Sequence, residues 1–381
     1  MAGKRKYLRV REGSVDLRVP PAQKISREMP VFFNPSKRLD RDMSVLFLKA
    51  FRKIAEQDLE VCDLLAASGV RGLRYACEVE GLESVLMNDA NPIAYALMRK
   101  NLKLNEGKIK CEVETSKCDA NRLLHNLRRK FTVIDVDPYG PPNPFLASSV
   151  LSLKRRGILA VTSTDTAPLC GSVPRACLRK YGALPHMTEY YGEESVRILA
   201  KKVIEVGAQF GVALTPIFSY FLGSYAKVFL RSDLGAKRVD GLMKRLGFIL
   251  HCDSCLMRST ISYGEMEDAA CPLCGSKRAV IGPLFLGRLW DESICKDMRV
   301  MADGEAKTLL ASILEELRLG TVAHYTTDSL SHALRRREPR MEDLFDAIKS
   351  RNRRVCRTHF SLKGFRTDIE HGELIELFKR L

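Results

Sequence analysis

The sequence predicts an α/β protein built on a seven-stranded sheet, followed by a smaller α+β domain. Two observations support this prediction. Short apolar segments alternate with segments of helical spacing over roughly the first 235 residues, and beyond that point the alternation stops. Repeated strand–helix units of this size form parallel sheets with helices on both faces, and a closing pair of strands would make the sheet mixed.

Seven apolar segments have the character of buried strands. They cover residues 59–66, 84–88, 110–118, 131–136, 157–163, 212–221 and 225–231. Helical spacing is found in residues 41–56, 70–80, 91–105, 144–154 and 193–210. Residues 1–30 are basic and rich in turn-forming residues, with few periodic signals.

We place a domain boundary near residues 232–237, because the alternating pattern breaks there. Residues 1–235 form the first predicted domain, which includes an N-terminal extension, and residues 236–381 form the second. The second domain opens with a cysteine-rich segment, residues 251–275, followed by helical segments and a basic stretch. The cysteines outside that segment are scattered through apolar runs, which is typical of buried thiols in a reducing compartment and favours the cytoplasm.

The net charge of +16, from 62 Lys and Arg against 46 Asp and Glu, favours a polyanionic partner over a merely solvated basic surface. No apolar run approaches the roughly 20 residues that span a bilayer, and the basic N-terminus is not followed by an apolar signal core. We therefore predict no membrane association. Nothing in the sequence indicates an obligate protein partner.

Polar residues follow the first three predicted strands. Residues 63–72 (DLLAASGVRG) place small side chains between a strand and a helix, where the backbone can approach a ligand closely. Asp89 ends the second strand, where a carboxylate can bind a ribose diol, and Asp119 and Ala120 follow the third, where an adenine edge can be read. The G-x-G-x-x-G fingerprint is absent, so S-adenosylmethionine fits better than NAD, although the same aspartates can also serve only as helix caps.

The fourth strand runs into Asp137-Pro138-Tyr139-Gly140, which resembles the motif of amino-group methyltransferases. In such a motif the polar side chain accepts hydrogen bonds from an NH2 group while the aromatic ring stacks on the base. An amino group on a base is a poor nucleophile because its lone pair is delocalised, and an acceptor that binds its protons returns electron density to nitrogen. Read alone, the same four residues would be an ordinary turn.

The aspartate at position 137 favours guanine over adenine as the substrate base. A carboxylate only accepts hydrogen bonds, and guanine presents two adjacent donors, N1–H and N2–H. Adenine presents an acceptor at N1, which would face the carboxylate lone pairs. Asp137 is therefore the candidate catalytic residue for an exocyclic amino group of guanine.

Several runs together resemble the tRNA guanine-26 N2-dimethyltransferase family, in the tail-less form typical of archaeal members. The resemblance extends over most of the chain, and the run of residues 165–180 is particularly specific. The runs are residues 30–35 (PVFFNP), 40–42 (DRD), 63–74, 135–142, 165–180 (DTAPLCGSVPRACLRK) and 358–361 (THFS).

The resemblance implies a class I methyltransferase fold and transfer of one or two methyl groups to N2 of guanine 26 in tRNA. It implies that S-adenosylmethionine is contacted by Arg41, Arg71, Asp89, Asp119 and Ala120, with the two arginines pairing with its carboxylate. It also implies that Asp137 is the catalytic acceptor and that Phe32 and Tyr139 sandwich the flipped guanine.

Four cysteines of the second domain have the spacing of a zinc site, with two C-x-x-C turns separated by 15 residues. Two such turns can close a tetrahedron, and four protein ligands leave no open position, so the predicted zinc is structural. His251 could replace Cys252 as a ligand. The alternative to a metal site is that the four cysteines are free or disulfide-linked thiols. The predicted ligands are Cys252, Cys255, Cys271 and Cys274.

The basic stretch, residues 335–366, carries eleven Lys or Arg against four Asp or Glu and is predicted to bind tRNA phosphates. A solvated helix face is the simpler alternative. For the whole protein, two other functions stay open at this point. One is methylation of another amino group, such as guanine N2 of rRNA or adenine of DNA, and the other is a non-catalytic zinc-containing RNA-binding protein.

Overall fold

A computed structural model describes residues 7–21, 29–265 and 267–381 of the 381-residue chain. Within these ranges, none of the helices is long and apolar enough to cross a membrane.

The main sheet has seven strands, as predicted, in the order β5-β4-β3-β6-β7-β9-β8. The first five strands in this order pair in parallel, each with its neighbour. The last two are adjacent in the sheet and joined by only a short turn, so they run antiparallel and make the sheet mixed. The strands are β3 (Leu59–Asp63), β4 (Leu82–Asn88), β5 (Glu112–Ser116), β6 (Phe131–Val136), β7 (Leu153–Ser163), β8 (Val212–Phe221) and β9 (Ala226–Leu234).

Helices flank and connect the strands of this sheet, and they bury apolar side chains, as the helical spacing of the sequence predicts. Charged residues such as Asp40, Arg71 and Glu193 are buried on them as well. They are α1 (Arg38–Ile54), α2 (Val70–Glu78), α3 (Pro92–Leu104), α4 (Ala120–Asn126), α5 (Asn143–Ser152), α6 (Thr166–Leu169), α7 (Pro174–Tyr181) and α8 (Tyr191–Gln209).

Among the described residues, three smaller sheets lie outside the main one: a hairpin of β1 and β2, a sheet in the order β11-β10-β12, and a sheet in the order β13-β15-β14. Their strands are β1 (Leu8–Glu12), β2 (Val15–Val19), β10 (Leu246–His251), β11 (Arg258–Ser262), β12 (Ala279–Phe285), β13 (Tyr325–Thr326), β14 (Val355–Thr358) and β15 (Ser361–Thr367). The remaining helices are α9 (Ala236–Met243), α10 (Glu292–Met301), α11 (Gly304–Leu319), α12 (Thr327–Leu334), α13 (Met341–Lys349) and α14 (His371–Arg380).

Parallel pairing brings the carboxyl ends of β3, β4, β5 and β6 to one edge of the sheet. Asn88, fully buried at the end of β4, fastens this edge: its amide nitrogen donates to the carbonyls of Leu64 (3.2 Å) and Cys118 (3.0 Å), and its oxygen accepts from Cys118 N (3.1 Å). The segments that follow three strands are thereby held in fixed relation, which is what a ligand crevice at this edge requires.

The chain divides into two compact units. The first comprises residues up to Thr162 together with Phe229–Leu234 and Lys296–Lys307. The second comprises Ser163–Val228, Gly235–Cys295 and Thr308–Leu381. The domain boundary near residue 235 stays a prediction from the sequence pattern.

The sequence pattern missed several elements. Residues 8–19, interpreted as part of a turn-rich stretch, form the β1–β2 hairpin, in which Gly13 takes a positive φ of 55° at the turn and Val15, Leu17 and Val19 are buried. Strand β7 begins at Leu153, inside the predicted helix 144–154. The hairpin is short and its strands are flanked by charged residues, so tertiary packing rather than a strong local signal defines it.

Candidate active site and metal centre

Asp137, which directly follows β6, is held between two cations. Lys37 donates from Nζ to Asp137 Oδ1 at 2.6 Å, and Arg71 donates from Nη2 to Asp137 Oδ2. The carboxylate side chain is 15 % exposed, whereas Lys37 and Arg71 are 6 % exposed. Two nearly buried cations stabilise its negative charge and fix its orientation.

Arg71, near the start of α2, is the centre of a buried acidic cluster. It donates from Nη2 to Asp40 Oδ2 (2.5 Å) and from Nη1 to Ser44 Oγ (2.8 Å), and Asp135 Oδ2 lies 3.6 Å from Nη1. Burial raises the pKa of Asp63, at the end of β3, to about 7, although the charge of Arg71 opposes this. Arg71 therefore offsets the repulsion of several carboxylates that the strand ends bring together.

Arg41, predicted to pair with the cofactor carboxylate, forms a two-pronged pair with Glu12 of β1. Nε lies 2.6 Å from Glu12 Oε1 and Nη2 lies 2.7 Å from Oε2, and Nη2 also donates to the Asn34 carbonyl at 3.1 Å. Arg74 shares Glu12 at 3.2 Å. Both predicted cofactor arginines are thus engaged by protein carboxylates in this structure, and their contact with a cofactor stays a prediction.

The ends of β4 and β5 present the predicted adenosine-binding residues. Asp89 accepts from Ala67 N (Oδ2, 2.9 Å) and Asn91 N (Oδ1, 2.8 Å), which fixes its carboxylate and leaves one lone pair on each oxygen. Burial raises the pKa of Asp89, and these two backbone hydrogen bonds oppose that rise.

Asp119 caps α4 by accepting from Arg122 N at 3.0 Å. Ala120 is buried and is the first residue of that helix, where a backbone N–H has no intrahelical acceptor. The capping role of Asp119 that the sequence allowed is therefore observed, and it leaves the second carboxylate oxygen for a ligand.

Phe32 lies next to Tyr139, two residues after Asp137, and the predicted sandwich of a guanine between the two rings stays a prediction. Their ring centroids are 5.9 Å apart with an interplanar angle of 71°, an edge-to-face contact. A base between two parallel rings needs them roughly 7 Å apart, so one ring has to turn before a sandwich can form. Tyr139 is 54 % exposed and is the ring with room to do so.

Three residues of this site were not identified from the sequence: Lys37, Asp40 and Glu12. Asp40 belongs to the DRD triplet, and Lys37 lies just before it in a 3₁₀ turn that Asn34 caps. A buried lysine beside an acidic motif has no sequence signature, because its partner Asp137 lies 100 positions away in the sequence.

The four predicted zinc ligands, in the second unit, do come together. Their sulfur atoms all lie within 4.8 Å of one another, with Cys252 and Cys274 at 3.5 Å and Cys255 and Cys271 at 3.5 Å. A zinc tetrahedron with Zn–S bonds of about 2.3 Å has S···S edges of roughly 3.8 Å. The four thiols are unpaired by disulfides and fit a structural zinc ion.

Each pair of thiols is presented by a tight turn. Cys252 N donates to the Met257 carbonyl at 2.9 Å, and Cys271 N donates to the Ser276 carbonyl at 2.8 Å. Gly275, with φ of 74°, supplies the left-handed residue that the second turn requires. The backbone hydrogen bonds of the two turns therefore fix the orientation of the four cysteine ligands.

We expect the purified protein to hold about one zinc ion per chain. Cys271→Ser removes one of the four ligands and should reduce the zinc content to a small fraction and lower the melting temperature, because structural zinc contributes directly to folding. Elemental analysis checks this. Cys111→Ser, outside the cluster, is the matched control and should retain the metal. Unchanged zinc in the Cys271→Ser protein would contradict the assignment.

The first unit thus has the features of a Rossmann-like methyltransferase: parallel strands that end at one edge, carboxylates after β4 and β5, and an acceptor with an aromatic ring after β6. The family model for "TRM: N2,N2-dimethylguanosine tRNA methyltransferase" matches residues 13–379. The chain belongs to this family.

Curated relatives and a solved structure agree with that assignment. A tRNA (guanine(26)-N(2))-dimethyltransferase of Methanosphaera stadtmanae is 36 % identical over 97 % of this chain and 95 % of its own length. A tRNA (guanine(26)-N(2)/guanine(27)-N(2))-dimethyltransferase of Aquifex aeolicus is 37 % identical over 98 % and 96 %. The structure of Trm1 from Pyrococcus horikoshii with S-adenosyl-L-methionine matches with a TM-score of 0.86 and 32 % identity, covering 97 % of this chain and 99 % of that one.

Proposed function

We propose that this protein transfers methyl groups from S-adenosylmethionine to the exocyclic N2 of guanine 26 in tRNA, giving N2-methyl- and N2,N2-dimethylguanine. The observation that supports this most is the Asp137 carboxylate, fixed between Lys37 and Arg71 and partly open at the carboxyl edge of the sheet. Family membership and relatives that match nearly end to end support the same substrate.

The donor set of the crevice fits an adenosine cofactor. Asp89 keeps free lone pairs for ribose hydroxyls, Ala120 offers its backbone N–H at the start of α4, and Asp119 has an oxygen left over. When bound, S-adenosylmethionine supplies an electrophilic methyl group. Arg41 and Arg71 are the candidate partners of its carboxylate, and each would have to share its guanidinium with the acidic residue it already binds.

Asp137 selects and activates the base. Its two oxygens accept from guanine N1–H and N2–H, which returns electron density to N2 and holds the lone pair toward the methyl group. Lys37 and Arg71 keep the carboxylate charged and immobile while it does so. After transfer, N2 loses a proton readily because this restores delocalisation into the ring, and Asp137 is the nearest fixed acceptor in the proposed geometry.

Tyr139 and Phe32 provide apolar contact for the base once it has left its stack. Flipping a nucleotide costs a few kcal/mol, and stacking on an aromatic side chain offsets part of that cost. The exposed position of Tyr139 allows it to meet the incoming base first.

We assign tRNA docking in part to the basic residues of the second unit, as the sequence predicted. Arg353 and Arg354 are already paired with Glu373 and Asp368, at 3.7 Å and 2.7 Å. Exposed cations without an acidic partner in the described part of the chain are better placed to contact phosphates, and these are Arg335, Arg336, Arg337 and Arg340. A tRNA substrate agrees with the cytoplasmic location that the cysteine usage predicts.

Incubation with labelled S-adenosylmethionine and unmodified tRNA, followed by nucleoside digestion and mass spectrometry, tests the proposed function. We expect label in N2-methyl- or N2,N2-dimethylguanosine at position 26, and none when position 26 is inosine, which lacks the N2 amino group. Label in adenosine, or equal labelling of the inosine tRNA, would refute the proposal.

A further inference from the structure

The second unit contains a cavity of about 350 Å³ that the proposed mechanism does not use. Part of its wall is apolar and part is cationic, and neither Asp nor Glu lines it. The apolar wall consists of Leu286, Leu289, Trp290 and Leu317, and the cationic part consists of Arg197, Arg245 and Arg288.

Arg197, on α8, is the innermost of these cations and is only 3 % exposed. Its Nε donates to Glu193 Oε1 at 2.8 Å, and its Nη1 donates to the carbonyls of Phe285 (2.8 Å) and Gly287 (3.1 Å). Within the described ranges, Nη2 has no hydrogen-bond acceptor. Because Arg197 lines the cavity, the two N–H groups of Nη2 are the ones that can donate to a ligand there.

The effect of burial on the pKa of Arg197 also favours a bound anion. Burial lowers the pKa of Arg197, although the charge of Glu193 opposes this, and the nearby Arg366 adds to the lowering. An anion beside Nη2 would relieve both the desolvation and the repulsion.

Thr321, which follows the end of α11, also lines the cavity and has a hydroxyl group without a hydrogen-bond partner in the described residues. The hydroxyl oxygen, Oγ1, is buried. Arg245 and Arg288 are exposed at the cavity, and neither forms an ion pair among the residues that the structure describes. Three guanidinium groups and a free hydroxyl thus line one cavity, which is the donor set that binds a phosphate.

We infer that this cavity binds a backbone phosphate of the tRNA, with the apolar wall against the ribose or base of the same nucleotide. The inference rests on the proposed tRNA substrate. A polynucleotide suits the arrangement better than inorganic phosphate does, because Trp290 and three leucines add apolar contact next to the cations. The exposed arginines also allow a bound phosphate to remain part of a chain that continues outside the protein.

Trp290 makes occupancy measurable, because it is the one tryptophan in the sequence. Titration of the full-length protein with tRNA should change its fluorescence in proportion to binding. Arg245→Gln/Arg288→Gln should abolish that change and raise the Kd for tRNA roughly tenfold, with a salt dependence lower in slope by about 1, as expected for one lost phosphate contact. The Kd for S-adenosylmethionine should not change, since both arginines lie outside the proposed cofactor crevice.

Lys379→Gln/Arg380→Gln removes two exposed charges from the same unit without touching the cavity and is the matched control. Thr321→Val is a second test, because it replaces an unsatisfied hydroxyl by a methyl group of the same shape and should not lower the melting temperature. It should still weaken tRNA binding, by roughly fivefold.

Three results would overturn the inference: equal loss of tRNA affinity in the Lys379/Arg380 control, unchanged affinity in the Arg245/Arg288 variant, or no tRNA binding by the wild type. Adenosine monophosphate serves as a free-nucleotide probe. If it changes the Trp290 signal while the cavity variants leave tRNA binding intact, the cavity is a small-molecule site and the inference is wrong. Absence of tRNA binding by the wild type would overturn the proposed function as well, whereas tRNA that binds and responds to the cavity variants without being methylated would overturn the proposed function alone.

Discussion

Asp137→Asn should lower kcat/KM for methyl transfer to tRNA by roughly 10³-fold, about 4 kcal/mol. The asparagine keeps one acceptor oxygen but places an NH2 group where the other oxygen accepted, so one of the two guanine donors faces a donor. The change also removes the charge that Lys37 and Arg71 hold in place. Single-turnover kinetics with labelled S-adenosylmethionine measure the loss.

Asp58→Asn is the matched control for this variant. Asp58 is exposed and precedes β3, at the opposite end of that strand from the crevice, so its neutralisation should leave the rate unchanged. The Kd for tRNA should stay within a few-fold in both proteins, because Asp137 acts on one base. An Asp137→Asn enzyme with near wild-type kcat would show that another group performs the acceptor role.

Arg366→Met should destabilise the second unit by about 3–5 kcal/mol, because it removes a cation that two buried carboxylates share. Arg366 is fully buried, and donates from Nη2 to Glu193 Oε2 (2.6 Å) and from Nε to Glu316 Oε2 (2.7 Å). Urea unfolding followed by Trp290 fluorescence measures the change, since the guanidinium lies 6.0 Å from that indole ring. The surface pair Arg354–Asp368 provides the control, because Arg354→Met should cost no more than about 1 kcal/mol.

The buried ionic cluster formed by Arg366, Glu193 and Glu316 predicts how the stability of the protein depends on pH. Burial alone would raise the pKa of Glu316, but His359 and Arg366 lower it to about 2, and Glu193 likewise lies well below its usual value because of Arg366 and Arg197. The unfolded carboxyls titrate near 4.3. Their contribution to stability is therefore complete above about pH 4.3 and is lost as pH falls toward 2. Stability of the wild type that stayed constant over this range would contradict the arrangement.

The cluster also shows what sequence patterns reveal and what they miss. Residues 358–361 contribute to the family resemblance, but the sequence assigns them no role. In the structure Thr358 donates to Glu316 Oε2 at 2.6 Å and His359 N donates to Oε1 at 2.9 Å. Residues of α8, α11 and β15 form this buried ionic cluster. No local spacing in the sequence predicts ion pairs between residues that are 50 to 173 positions apart.

The sheet edge that carries the candidate catalytic residue is easier to predict from the sequence, for a physical reason. Parallel strands deliver their carboxyl ends to one edge, so Asp89, Asp119 and Asp137 could be placed together once the strands were recognised. The zinc ligands were equally predictable, because each C-x-x-C pair is a local turn. The partners of Asp137 were not, since Lys37 comes from a segment before α1 and Arg71 was assigned to the cofactor alone.

Replacing guanine 26 of a tRNA substrate by 2-aminopurine tests the central claim most directly. This base keeps the amino group on C2 but has an acceptor at N1, which would face the Asp137 carboxylate. If that carboxylate reads N1–H and N2–H together, kcat/KM for the 2-aminopurine tRNA should fall at least about 10²-fold, and Asp137→Asn should narrow the difference because its amide can donate to N1. Equal kcat/KM for the two tRNAs in the wild type would contradict the account.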